Sequence, residues 1–155
     1  MKHYSCTDLA GVPDFRAAEY SDKSSEYCLL IPVINEGARI LTELGRARKA
    51  GIDQLCDIIL CDGGSTDGSM SNDILPGYGV NTLLVKTGPG KQGAQLRMGL
   101  YFALQRGYKG VLTIDGNNKD SIEDVPEFIE KLQQGYDLVQ GSRFIKGGHA
   151  VNTPP

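Results

Sequence analysis

The stretch YCLLIPVINEGARILTELGRARKA, residues 27–50, decides the fold that the sequence predicts. Its first eight residues, 27–34, form an apolar run without polar alternation, which is typical of a strand buried on both faces of a sheet. Helical spacing then follows in Ile40, Leu41, Leu44 and Ala47. A buried strand that leads into an amphipathic helix is the repeating unit of an α/β fold.

The same alternation of strand and helix repeats towards the C-terminus. Four further strands are predicted at CDIILC (56–61), NTLLV (81–85), GVLTID (110–115) and DLVQGS (137–142). A short helix is predicted after Asp67 and a longer one from about Gly93 to Gln105. The last predicted helix has the apolar face Val125, Phe128, Ile129 and Leu132. This order predicts an α/β three-layer sandwich, in which helices cover both faces of a mainly parallel central sheet.

Length and composition indicate one globular domain, because the chain has 155 residues of which 40% are hydrophobic and 23% charged. Residues 1–25 are polar and aperiodic, and we expect them to form a loosely ordered extension before a domain at 26–155. The net charge of -3 provides no basic field for nonspecific nucleic-acid binding, so no nucleic-acid partner is expected. Any anionic ligand must therefore be held by local groups.

The four cysteines, Cys6, Cys28, Cys56 and Cys61, lack the paired CxxC spacing of a zinc site. Because three of them lie in predicted strands, we expect buried free thiols and a reducing, cytoplasmic location. We find no signal peptide and no run of about 18 consecutive apolar residues.

In parallel sheets, ligands bind beyond the carboxyl ends of the strands, so the residues that follow each strand are the candidate site. After the first strand, Pro32 and Asn35 bend the chain and Glu36 begins the helix, a pattern that a plain turn also explains. After the second strand, Asp62 can accept hydrogen bonds from a nucleoside. A turn that caps the next helix, with the help of Ser65, is an equally good interpretation.

The segment KTGPGKQGAQLRMG (86–99), after the third strand, is rich in glycine and contains Lys86, Lys91 and Arg97. Backbone N–H groups and cations beside a helix N-terminus suit a diphosphate. The segment is not a P-loop, because GxxxxGKS/T is absent, and the GxGxxG fingerprint would belong after the first strand. A flexible surface turn is the alternative interpretation.

Asp115 and Asn117 follow the fourth strand, and they point to the same side if the chain stays extended. A carboxylate and an amide oxygen are hard ligands, suited to Mg2+ or Mn2+ that bridges a diphosphate. After the fifth strand, Arg143 offers a bidentate fork for a phosphate, although a lone arginine more often forms a surface salt bridge.

The segments IPVINEG, CDGGSTDGS, GKQGAQLRMG, TIDGNN and GSRF, taken in this order, resemble family-2 glycosyltransferases of the GT-A fold. The likeness covers residues 27–148 and is closest to the dolichyl- and polyprenyl-phosphate sugar transferases. It implies a Rossmann-like nucleotide-binding half and an inverting transfer from a nucleoside diphosphate sugar, with Mg2+ or Mn2+ as cofactor. It also implies an acceptor such as a polyprenyl phosphate, reached at the inner face of the membrane.

The resemblance further implies which residues form the site. Catalytic roles fall on Asp115 and Arg143, and metal binding on Asp115 and Asn117. Donor binding falls on Pro32, Asn35, Glu36, Asp62, Gly63, Ser65, Lys91, Arg97, Asp115 and Gly116. Gly63 and Asn117 depart from the family, which has a second acid at each of these two positions, so we expect weaker metal affinity.

Family members continue past the GSRF segment into the part that binds the acceptor, whereas this sequence ends at Pro155. We therefore expect a C-terminally truncated domain with weak or absent transferase activity by itself. Other functions stay open: a degenerate domain that binds nucleotide without catalysis, a sugar-nucleotide nucleotidyltransferase, and an NAD-binding module. The last two lack the glycine-rich loop that they require after the first strand. The sequence leaves the base and sugar of the donor, and the oligomeric state, open.

Overall fold

The computed structural model describes residues 1–6, 11–116 and 122–134, together with the backbone of 139–140 and 150–151. Its strands are β1 (Lys2–Tyr4), β2 (Phe15–Glu19), β3 (Tyr27–Val33), β4 (Asp57–Asp62), β5 (Val80–Lys86), β6 (Gly110–Thr113), β7 (Val139–Gln140) and β8 (Ala150–Val151). Its α-helices are α1 (Ala38–Lys49), α2 (Ile52–Leu55), α3 (Gln92–Arg106) and α4 (Val125–Gln133). None of the helices in these ranges is long and apolar enough to cross a membrane.

The strands form one sheet in the order β1-β2-β5-β4-β3-β6-β7-β8. The inner run from β5 to β7 is parallel throughout, whereas β1, β2 and β8 are held by antiparallel pairing at its two sides. The chain moves from β3 to one side through β4 and β5, and then crosses to the other side through β6 and β7. This is the strand order of dinucleotide-binding folds, and its switch point lies between β3 and β6. The prediction of a mainly parallel α/β sheet is confirmed.

The central strand β3 is buried along its whole length. Leu29, Ile31 and Val33 belong to a core that includes side chains of α1, α2 and α4. Cys28 and Leu30 belong to a second core, which includes side chains of α3. Helices therefore cover both faces of the sheet, as the predicted three-layer sandwich requires.

The four cysteines are free and buried, as the sequence predicts. Burial raises the pKa of the Cys56 thiol to about 12 and also raises the pKa of Cys28 and Cys61. These thiols are therefore protonated at neutral pH and pack as small apolar side chains.

The N-terminal residues are more ordered than predicted. The expectation of a loosely ordered extension at 1–25 is wrong where this segment forms two strands. β1 and β2 join the sheet, with β2 beside β5. Phe15 and Ala17 of β2 are buried, whereas Arg16 between them is exposed. An outer strand needs only such a short alternation, which is easily missed beside the long apolar runs of the inner strands.

The prediction of a short helix after Asp67 is also wrong. Between β4 and β5 the described residues form only a 3-10 helix, at Leu75–Tyr78. Local side chains bind the backbone instead. Ser69 donates hydrogen bonds from its N–H and its hydroxyl to Asp67 Oδ1, at 3.0 and 2.6 Å. These bonds lower the pKa of Asp67 and stabilise a turn where the helix was expected.

Gly99 allows α3 to lie close against the sheet. A Cβ at this position would lie 2.6 Å from Cys61 Sγ and 3.0 Å from Leu30 Cδ1. Both neighbours are fully buried in the sheet and have little room to move. The glycine therefore sets the distance between this helix and the strands beneath it.

A polar network joins β2, β4 and the end of α3 at the amino ends of the parallel strands. The Tyr108 hydroxyl donates to Asp57 Oδ2 at 2.6 Å and accepts from Arg106 Nη1 at 2.8 Å. Arg106 Nη2 in turn donates to Glu19 Oε1 at 2.8 Å. Burial, together with the bond to Asp57, raises the pKa of Tyr108. The network ties the N-terminal strands to the domain core.

Gly99→Ala is expected to lower the free energy of unfolding by about 1–3 kcal/mol, because the added methyl group overlaps buried side chains. Gly45→Ala in α1 is the matched control. A Cβ there meets nothing within 4 Å, so it should stabilise the helix by about 0.5–1 kcal/mol. Urea denaturation measures both variants, and equal effects would contradict the close packing of α3.

Tyr108→Phe removes the hydroxyl that joins Asp57 to Arg106, and should lower the free energy of unfolding by about 1–3 kcal/mol. Tyr101→Phe is the control, because its hydroxyl makes no hydrogen bond with a described residue. Urea denaturation compares the two. If the free energy of unfolding falls by the same small amount in both variants, the network contributes nothing to stability.

Candidate functional site

A cavity of about 510 Å3 lies at the carboxyl ends of β3 and β4, beside the start of α3. Its volume is typical of small-molecule sites. Several residues predicted for the site line it, namely Pro32, Glu36, Gly63, Lys91, Asp115 and Gly116. Lys86, one of the cations predicted to suit a diphosphate, also lines it. The remaining lining residues were not singled out by the sequence, namely Val33, Ile34, Gly90, Gln92 and Gln95.

Gly63 and Gln95 are in contact and form what we call the cavity floor. Gln95 Nε2 donates hydrogen bonds to the carbonyls of Val33 and Cys61, at 2.8 and 2.9 Å. A Cβ at Gly63 would lie 3.0–3.2 Å from the amide atoms of Gln95, so the glycine leaves room for this side chain. The floor thus ties the end of β3 to the end of β4.

A helical pattern could have identified Gln95. It lies on the same face of α3 as Met98, Gly99 and Phe102, at positions i, i+3, i+4 and i+7, and all four residues are buried. A glutamine on an apolar face must find hydrogen-bond partners, because an unpaired buried amide is costly. Here the partners are the ends of two strands.

Two loops next to the cavity are held together by hydrogen bonds among Asp62, Ser65 and Asn35. Both oxygens of the Asp62 carboxylate accept from the Ser65 N–H, at 3.0 and 3.1 Å, and Oδ1 accepts from the Ser65 hydroxyl at 2.6 Å. The Ser65 hydroxyl oxygen accepts from the Asn35 N–H at 2.8 Å. The geometry thus favours the turn interpretation of Asp62, although Ser65 closes a turn and does not cap a helix. A contact of Asp62 with a nucleoside stays a prediction.

Lys86 and Lys91 place positive charge at the cavity. Lys86 Nζ donates to the Gly88 carbonyl at 2.8 Å. Lys91 is exposed and directly precedes the first residue of α3. The N-terminus of a helix carries a partial positive charge of its own. This side of the cavity therefore suits an anion.

Arg97 lies outside the cavity, in contrast to its predicted place in the donor site. Its Nε donates to the carbonyl of Gly11 in the N-terminal segment. Arg97 follows Gln95 by two positions, which turns it by about 200° around the helix axis. A residue with that direction cannot share the cavity floor with Gln95.

Asp115 and Glu36 are the carboxylates among the described lining residues. Asp115 Oδ1 accepts a hydrogen bond from Gln92 Nε2 at 3.0 Å. Glu36 Oε2 forms an ion pair with Arg39 Nη2 at 3.0 Å. Glu36 is thus paired with a cation of its own helix region, and the Gln92 amide is one partner of Asp115.

The segment after β6 approaches β3 closely. A Cβ at Gly116 would lie 2.5 Å from Val33 Cγ1, so only a glycine allows this contact. The predicted residues Asn117 and Arg143 lie outside the described residues. In the ranges that the structure describes, no group of three or more His, Cys, Asp or Glu side chains could hold a metal ion. Asp115 is therefore the one predicted metal ligand whose position can be described.

No family model matches the chain. It is 32% identical over 117 residues to the glycosyltransferase AglJ of Haloferax volcanii, a match that covers 76% of this chain and 36% of that protein. It is 31% identical over 128 residues to an undecaprenyl-phosphate mannosyltransferase of Micrococcus luteus, covering 81% and 51% respectively. A polyprenol monophosphomannose synthase of Mycolicibacterium smegmatis is 27% identical over 129 residues, covering 81% and 48%.

The chain spans between 36% and 51% of the length of these relatives. Their names identify them as glycosyltransferases, which argues against the nucleotidyltransferase and NAD-binding alternatives. The chain is therefore homologous to glycosyltransferases, including polyprenyl-phosphate sugar transferases, as the order of its motifs predicts.

Proposed function

We propose that this chain binds a nucleoside diphosphate sugar, and that the protein to which it belongs transfers the sugar to an acceptor. The observation that carries this proposal is the cavity of about 510 Å3 at the carboxyl ends of the parallel strands. It combines a polar floor with cations on one side and a carboxylate on another. These are the groups that a nucleoside, a diphosphate and a bridging cation require.

The diphosphate would lie beside the start of α3. Lys86 and Lys91 both line the cavity there, and the first backbone N–H groups of α3 lack partners within the helix. A diphosphate is a strong acceptor that both kinds of donor can bind. The nucleoside would then extend from the diphosphate towards Gly63 and Asp62.

Mg2+ or Mn2+ is proposed as the cofactor, with Asp115 as its protein ligand. Mg2+ commonly binds through one or two carboxylates together with phosphate oxygens, so a dedicated cage of acids is unnecessary. The carboxylate of Asp115, one of the two among the described lining residues, fits that mode. When bound, the cation would neutralise charge on the departing nucleoside diphosphate.

A polyprenyl phosphate is the proposed acceptor, because the relatives of Micrococcus luteus and Mycolicibacterium smegmatis are named for polyprenol-linked substrates. Its phosphate oxygen is anionic at neutral pH, so it could attack the anomeric carbon without a general base. Direct displacement would invert the configuration at that carbon. Arg143, which lies outside the described residues, is the residue proposed to orient the phosphate.

A degenerate domain that binds nucleotide without catalysis is the second candidate function. Gly63 favours it, because the family has an acid at this position and the chain has none. Release of free sugar from a nucleotide sugar by this protein would argue against this candidate.

Binding of UDP and GDP, measured by titration calorimetry with and without Mn2+, tests the donor site. One of the two nucleotides should bind. Mn2+ should increase its affinity by on the order of 10- to 100-fold, because the carboxylate of Asp115 binds the cation. Asp115→Asn keeps the shape of the side chain and should abolish the gain from Mn2+. Asp73→Asn, an exposed site away from the cavity, is the control and should keep it.

Each part of the proposal can fail separately in this experiment. Binding that is equal in the wild type and Asp115→Asn, and independent of Mn2+, would remove Asp115 as the metal ligand. No binding of either nucleotide would contradict the donor site itself.

A further inference from the structure

Gln95 presents a hydrogen-bond acceptor to the cavity. The residue is only 4% exposed, yet it is among those that line the cavity. No residue in the described ranges donates a hydrogen bond to its Oε1 atom. The oxygen is not fully enclosed, and a ligand or water in the cavity can supply the donor that the described protein groups do not.

The orientation of this amide is determined by the strands. Both hydrogens of Nε2 are used, one by the carbonyl of Val33 and one by the carbonyl of Cys61. If the amide rotated by half a turn, its oxygen would face two carbonyl oxygens and repel them. The cavity floor therefore offers an acceptor and cannot offer the amide N–H in its place.

The oxygen also lies where the family has an acid. A Cβ at Gly63 would be 3.1 Å from Gln95 Oε1, so the two occupy neighbouring space. A side chain at position 63 would crowd the amide, whereas glycine leaves room for it. Gln95 thus supplies an oxygen close to position 63.

We infer that Gln95 selects the nucleoside of the donor by accepting a hydrogen bond from a ring N–H of the base. This inference rests on the proposed binding of a nucleoside diphosphate sugar. Uracil and guanine carry such an N–H at the centre of their pairing edge, whereas cytosine and adenine have an acceptor nitrogen there. An acceptor that faces such a ring nitrogen is repelled, so this contact favours uridine or guanosine over cytidine and adenosine.

The test compares UDP, GDP, CDP and ADP by titration calorimetry on the wild-type chain and on Gln95→Met. The wild type should bind UDP or GDP on the order of tenfold or more tightly than CDP and ADP. Gln95→Met keeps the length of the side chain and removes the acceptor, so this preference should largely disappear. Gln105→Met, an exposed residue of the same helix, is the matched control and should retain the preference.

Gly63→Ala provides a second variant in which Gln95 is retained. The new methyl group would lie 3.0–3.2 Å from the amide and shift it by a few tenths of an ångström, and Gly63 does not have a positive φ that alanine would oppose. The preference for UDP or GDP should fall in this variant as well. It decides the outcome if circular dichroism shows that Gln95→Met is unfolded.

The results separate this inference from the function on which it rests. If a folded Gln95→Met keeps the wild-type preference, or if the wild type binds all four nucleotides equally, Gln95 does not select the base and the donor site still stands. A contact of Gln95 with the ribose would weaken all four nucleotides alike, which also overturns the inference. If the wild type binds none of them, the proposed function fails and the inference fails with it.

Discussion

Burial of β3 on every side is the constraint on which the rest of the structure depends. Parallel neighbours satisfy its backbone at both edges, and its side chains enter cores on both faces of the sheet. A chain can add parallel strands on both sides of such a strand only through crossover connections, which here carry helices that cover the two faces. The loops from strand to helix consequently gather at one edge of the sheet. The cavity lies at this edge, where the strand order reverses and where such sheets bind their ligands.

The interaction that closes this edge also gives the cavity its chemistry. The Val33 carbonyl at the end of β3 and the Cys61 carbonyl in β4 both accept hydrogen bonds from the buried amide of Gln95, and the Val33 carbonyl also accepts from the Gly63 N–H at 2.9 Å. Gly63 makes the space for that amide. One side chain thus stabilises two strand ends and determines which kind of hydrogen bond the floor can form. Lys91 and Asp115 reach the same cavity from separate elements, the start of α3 and the end of β6.

The sequence predicts those features that depend on long patterns or on topology alone. The inner strands are apolar on both faces, and Gly63 and Asp115 follow strand ends, so their positions need no further information. β2 was missed because an outer strand needs only a brief alternation. The prediction of a helix after Asp67 was wrong because serine and aspartate can bind the backbone of a turn as well as that of a helix. The contacts of Gln95 were not predicted, and Arg97 lies outside the cavity. Both outcomes depend on which face of α3 meets the sheet, and packing decides that.

A crystal structure of the chain with Mn2+ and whichever of UDP or GDP it binds would test the central claim most directly. The account predicts the diphosphate between Lys91 and Asp115, and the base against Gly63 with its ring N–H about 2.7–3.2 Å from Gln95 Oε1. A nucleotide bound elsewhere on the protein, with the cavity at the ends of β3 and β4 filled only by water, would contradict it.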